Sequence, residues 1–228
     1  MKKSSNSKAQ TTCRQCGECC VNGGAALHSS DLHLLQDNLI PRTDLITIRK
    51  GEFAHNPLTN RVQATTAEIV KLAGSGREWA CCYYDSVNKS CTIYENRPLA
   101  CRTLKCWDPA ESMALVERDL LSRFDILTGE EILLEKIGLH EESCPLPDFS
   151  EINSDLKKGQ SEKWLDTLEK QVNLDISFRN QALHDSAVVA AQELFLFGRP
   201  LFQLLQSFGF GVLQAGNSLR LQYQYQGK

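Results

Sequence analysis

Four thiols fall within the eight residues Cys13-Arg14-Gln15-Cys16-Gly17-Glu18-Cys19-Cys20, and no other stretch constrains the fold as strongly. Apolar packing gives no reason to crowd cysteines into a polar, glycine-containing loop. A soft divalent metal or an iron–sulfur cluster does, because so short a loop can aim several sulfurs at one centre. A thiolate ligand must lose its proton, and a bare sulfur anion is costly to bury. Ligation removes both difficulties, and binding energy on the order of 10 kcal/mol then becomes folding energy. Close spacing also lowers the loop entropy of bringing ligands together.

The chain holds ten cysteines in 228 residues, enough for a disulfide framework if it were secreted. The opening Met1-Lys2-Lys3-Ser4-Ser5-Asn6-Ser7-Lys8 is polar, however, and no apolar signal-like run follows before Cys13. No uncharged apolar run approaches the roughly 18 residues needed to span a bilayer. The expected location is cytoplasmic, where thiols stay reduced and clustered cysteines bind metal or do redox work. A net charge of −3 suggests neither nucleic acid nor an anionic membrane as a partner. An apolar fraction of 42% is ordinary for a globular chain, and the length allows one domain or two small ones.

Residues 1–12 read as a disordered lead and 13–150 as a cysteine-cluster metal-binding domain. Beyond 150 cysteine disappears, and 151–228 reads as a helical extension ending in a β-hairpin around Gly216-Asn217. The expected fold is α+β and mainly helical, with a small irregular cysteine-rich metal-binding core. Asp44–Arg49 alternates as a strand would, and Arg61–Thr65 supplies a second strand. Thr66–Leu72 suggests one or two helical turns. Apolar spacing predicts a long amphipathic helix over Ala110–Leu127 and another over Glu130–Leu139. Trp164–Val172 fits one further helix and Phe178–Phe197 a second.

The second cysteine zone contains Cys81-Cys82-Tyr83-Tyr84, then Cys91-Thr92-Ile93-Tyr94-Glu95-Asn96-Arg97-Pro98-Leu99-Ala100-Cys101-Arg102, then Cys106. In the first zone Cys13, Cys16 and Cys19 repeat the spacing of the first three ligands of a bacterial ferredoxin run, and the inner pair also matches a zinc knuckle. Adjacent Cys19 and Cys20 suggest a polynuclear cluster, two neighbouring centres, or one ligand beside a spare thiol.

Taken in order, Cys-x2-Cys-x2-Cys-Cys, Cys-x-Tyr-Tyr and Cys-x-Ile-Tyr-x-x-Arg-Pro-x-x-Cys-Arg resemble the YkgJ-type cysteine-cluster family. That family is described as zinc- or iron-chelating and, in older descriptions, as an iron–sulfur oxidoreductase. A similar domain occurs in flagellin lysine methylases. The resemblance implies Cys13, Cys16, Cys19, Cys20, Cys81, Cys91 and Cys101 as ligands, with Tyr94, Arg97, Pro98 and Arg102 as their frame. Cys106 lies near enough to Cys101 to be an eighth ligand. Cys82 reads as a spare, and Cys144 as a buried thiol or, less simply, as the remote Cys-Pro of a ferredoxin.

Arg97 and Arg102 can donate to an anionic cluster as cofactor-binding groups, or form helix-terminal ion pairs with Glu95 or Asp108. Trp79 and Trp107 bracket the zone and are expected to roof it. His28 and His33 are weaker ligand candidates. No Gly-x-Ser-x-Gly, Walker loop or dinucleotide fingerprint is present, so catalysis stays open.

The cofactor expected is an iron–sulfur cluster of the 4Fe-4S type, serving electron transfer or a modification reaction. The alternative is a structural zinc module scaffolding a protein partner, with the C-terminal helices as docking element.

Overall fold

Leu45, Ile46, Thr47 and Ile48 are all buried, so the segment that alternates in sequence is covered on both faces in the fold. The computed structural model describes residues 10–76, 78–185, 188–216 and 218–224. Most of the expected lead (1–9) and Asn217 of the expected hairpin turn lie outside these residues. The helices are α1 (Glu18–Val21), α2 (Leu32–Gln36), α3 (Leu99–Thr103), α4 (Ala110–Ala114), α5 (Arg123–Ile126), α6 (Glu131–Ser143), α7 (Phe149–Lys157), α8 (Glu162–Leu183), α9 (Glu193–Phe197) and α10 (Leu201–Gln206).

The strands pair antiparallel and only in twos among the described residues. β1 (Leu45–Ile48) pairs with β4 (Ile69–Leu72), and β2 (Phe53–Asn56) with β3 (Arg61–Ala64). Three smaller pairs follow: β5 (Gly74–Ser75) with β6 (Ala80–Cys81), β7 (Tyr84–Asp85) with β8 (Ser90–Cys91), and β9 (Phe210–Ala215) with β10 (Ser218–Tyr223). Short sheets set among helices make the architecture α+β. None of the helices is long and apolar enough to cross a membrane.

β1 is the strut of the molecule. Its register with β4 sets Leu45 opposite Leu72 and Ile46 opposite Lys71. Thr47 Oγ1 donates to Phe195 O at 2.6 Å, tying the strand to α9. The far edge of β4 is engaged as well: Leu72 N donates to Ala25 O and Leu27 N to Val70 O, both at 2.9 Å. Ile69–Leu72 is therefore a strand where Thr66–Leu72 was expected to make one or two helical turns. β-Branched Ile69 and Val70 suit a strand with hydrogen-bonding neighbours on both edges.

The helix expected over Ala110–Leu127 is two short helices. Between them Glu117 and Asp119 take positive φ values of 62° and 47°. Tertiary bonds override the periodicity there: Ser29 N donates to Asp119 O at 2.7 Å, and Leu121 N to Leu27 O at 3.0 Å. The expected Trp164–Val172 helix is part of the 22-residue α8. The expected Phe178–Phe197 helix is divided between the end of α8 and the separate α9.

Two hydrophobic cores result. The first joins Leu27, Leu34, Val70, Leu72 and Cys81 to Ile137 and to Phe195–Phe197. It thus draws on segments from both sides of residue 150. The second packs Phe149, Ile152, Leu168, Val172 and Leu204 under the β9–β10 hairpin. Between them runs a band of buried charge. Arg123 pairs with Glu68 at 2.5 Å and with Glu141 at 2.7 Å, while Arg49 holds Glu141 through both Nε and Nη2. Asp175 joins His140 at 2.8 Å and Arg179 at 2.9 Å.

Candidate metal centre

Cys13, Cys16, Cys19, Cys20, Cys81, Cys91, Cys101 and Cys106 line one cavity of about 80 Å³, and local chemistry explains how each segment arrives there. In the first segment Gly17 adopts φ 76° and opens α1, accepting at its carbonyl from Cys20 N at 2.8 Å. A Cβ on Gly17 would sit 2.2 Å from Tyr84 Cε2, so the Tyr84 ring lies directly against this turn. Only a residue without a side chain fits both that backbone and that contact. Beyond the loop, the bonds from residues 25 and 27 to β4 anchor the first cysteine segment beside the second.

Cys81 closes β6, opposite Gly74. Successive residues of a strand face opposite ways, which sends Cys81 into the cavity and Cys82 away from it. Cys82 Sγ lies 3.9 Å from Asp44 O and does not line the cavity. Cys91 is set by the β7–β8 turn, where Asp85 Oδ1 accepts from Val87 N and Asn88 N at 2.9 and 3.1 Å. Cys101 stands on α3, which Pro98 precedes. Fully buried Asp31 receives Leu99 N at 2.7 Å through Oδ1 and His28 N at 3.0 Å through Oδ2. One carboxylate therefore clips the start of the Cys101 helix to the segment that follows the first cysteines.

Burial and charge sort the eight thiols. Cys13, Cys16, Cys19 and Cys106 are exposed, whereas Cys20, Cys91 and Cys101 are partly buried and Cys81 is buried. Burial pushes the Cys101 thiol up to about 12, with the charges of Cys81, Cys19 and Cys91 adding to it. Burial, then neighbouring Cys19, raises Cys20 to about 12 as well. Cys91 is raised by burial despite the Ile93 amide and Arg97. Cys81 moves the other way, to about 7, through hydrogen bonding from Cys82, aided by the Tyr83 amide and the Lys71 charge. The inner thiols of the shared cavity thus press on one another electrostatically.

Arg97 lines the cavity. Its Nε donates to Tyr94 O at 2.7 Å, and its guanidinium lies 3.6 Å from the Tyr94 ring centroid. Arg102 instead reaches Asp31 Oδ1 at 3.6 Å and is not among the lining residues, so it serves the clip. Neither Glu95 nor Asp108 is its partner. The walls are Leu72, Tyr83, Ile93 and Leu104 rather than the expected Trp79 and Trp107. Tyr83 is fixed by donating its hydroxyl to Asp44 Oδ2 at 2.5 Å.

His28 is buried with Nδ1 2.9 Å from Arg118 O, and exposed His33 bonds Ser30 O at 2.8 Å; neither lines the cavity. Cys144 is a buried free thiol outside it. Together with His140 and Asp175 it forms a group whose candidate ligand atoms lie within 4.8 Å of one another. Both Asp175 oxygens are already engaged there, by His140, Arg179 and the Leu201 amide.

No curated protein and no solved structure matches the chain. A family model does: CxxCxxCC, described as "Putative zinc- or iron-chelating domain", covers residues 12–145. That span contains all ten cysteines and the whole cavity, more than half the chain. With its thiols so arranged, the chain belongs to the CxxCxxCC family of zinc- or iron-chelating domains.

Proposed function

We propose that the eight-cysteine cavity holds an iron–sulfur cluster of the 4Fe-4S type, its four ligands drawn from these thiols, with Cys20, Cys81, Cys91 and Cys101 as the inner donors and Cys19 beside them. Cys13, Cys16 and Cys106 complete the candidate set at its exposed side. The carrying observation is that thiols from three separated segments line one small cavity. The donor set fits such a group, being rich in thiol and free of histidine.

The excess of thiols favours a polynuclear centre over a single zinc ion, which takes four ligands. A tetrahedral zinc with bonds of about 2.3 Å needs its sulfurs about 3.8 Å apart. Cys19 and Cys20 approach that, at 4.0 Å. A four-iron core spreads its ligands more widely, to roughly 7 Å.

Such a cluster supplies one-electron transfer when bound. The chain's own residues set its surroundings. Arg97 brings positive charge to offset the thiolates. Leu72, Ile93 and Leu104 exclude water from the buried side, while Cys13, Cys16 and Cys106 leave the other side open to a redox partner.

Purification under nitrogen tests this reading. The expected product is brown, absorbs at about 400 nm, bleaches with dithionite and carries about four iron and four acid-labile sulfide per chain. A colourless protein with stoichiometric zinc and no sulfide would overturn it in favour of a zinc scaffold.

A further inference from the structure

A second cavity, of about 570 Å³, lies on the other side of the β1–β4 ribbon and falls within the range of small-molecule sites. Its walls are mainly apolar: Ile46, Ile48 and Ile69 on the ribbon, Phe53 and Val62 on β2–β3, and Leu115. Two cations enter it, Lys71 and Arg199. Arg199 is already answered, since both Nε and Nη2 donate to Oε1 of fully buried Glu52. Lys71 is not. Among the described residues no carboxylate forms an ion pair with it; burial, then the charge of Arg199, lowers its pKa, and only the Cys81 thiol across β4 acts the other way. The one acidic residue of the lining, Glu117, is exposed and accepts from Asn56 Nδ2 at 2.8 Å.

An ammonium kept in an apolar recess without a counter-ion is costly, and an anionic ligand removes the cost. We propose that this cavity binds a small organic acid with an apolar body, its carboxylate paired with the Lys71 ammonium. One unanswered cation matches one negative charge; a doubly charged phosphate would leave a charge uncompensated among apolar walls. The site also adjoins the cysteine cavity. Ala100 lines one and Cys101 the other, and Lys71 and Leu72 divide the same way on β4. Binding requires no metal. Whether the acid is a substrate of the centre rests on the reading above.

Octanoate and its neutral counterpart octanamide are the probes, titrated calorimetrically into the full chain. Octanoate is expected to saturate one site, with octanamide at least tenfold weaker. Lys71→Met should lower octanoate affinity at least tenfold and leave octanamide unchanged, and Leu115→Trp should weaken both by filling the cavity. Equal affinity for the two probes in the wild-type chain would overturn the proposal, as would unchanged octanoate binding in Lys71→Met or no saturable binding at millimolar octanoate. The wild-type comparison decides even if a variant fails to fold. Metal content measured on the same samples separates failure here from failure of the metal-centre reading.

Discussion

Around Glu141 each buried charge meets its opposite inside the chain, whereas around Cys101 the groups that burial penalises are all of one kind. Arg49, Arg123 and Arg179 are at most 3% exposed, yet each faces a carboxylate at 2.5–3.0 Å. Cys20, Cys91 and Cys101 face chiefly other thiols, and deprotonating one makes the next harder. The first region is closed by its own sequence. The second gathers eight thiols against the few cations found near it among the described residues, Arg14 and Arg97 on its wall and Lys71 behind Cys81, and a bound metal would supply the rest. The ion-pair band is thus part of the fold, and the thiol cavity is the proposed metal site.

The sharpest way to break this contrast is to remove one partner in each region. Asp175→Ala strips a carboxylate from Arg179 and His140, and should lower stability by about 3–5 kcal/mol in urea unfolding without altering metal content per folded chain. Cys101→Ser and Cys16→Ser should each at least roughly halve the metal content and lower Tm only in metal-loaded protein. Cys82→Ser should change neither, because its sulfur does not line the cavity and a serine hydroxyl keeps a donor beside Cys81. Asp31→Ala should cost about 1–3 kcal/mol by leaving the Leu99 and His28 amides without their acceptor, and should weaken metal retention as well.

Acid sharpens the contrast from the other side. Burial holds His140 below its usual 6.5, while hydrogen bonds from Arg49 and Arg123 hold Glu141 below 4.5 against the opposing effect of burial. Below about pH 6.5 the unfolded chain takes up a proton at His140 that the folded chain resists, so stability falls as pH drops. Glu141 adds to the loss below about pH 4.5. Melting curves between pH 8 and 4 should show both steps, and His140→Gln should lose the upper one. A modest effect is expected at the cysteine turn. Gly17→Ala should cost about 1–2 kcal/mol through its left-handed backbone, with part of the loss recovered when Tyr84 is also shortened to Ala.

The ligand candidates were legible because thiol spacing is a local, chemically specific signal: all eight proposed cysteines line one cavity. The frame around them was less so. Arg102 is bound to Asp31, 71 residues away in sequence, and no pattern near either residue announces that pair. Leu72 and Leu104 form the walls instead of the two tryptophans, since which apolar residue meets a site depends on how the strands pair. Ala110–Leu127 carried a good helical period, yet backbone bonds from residues 27–29 break it at Glu117 and Asp119. Lys71 gave no signal at all. In the sequence it looks like any solvated lysine, and only the fold turns it inward.

X-ray absorption at the iron and zinc edges, on protein purified under nitrogen, tests the central claim most directly. An iron–sulfur shell accompanied by an iron–iron shell, both lost in Cys101→Ser, is the predicted result. Zinc surrounded by sulfur with no iron present, or a spectrum unchanged by Cys101→Ser, would contradict it.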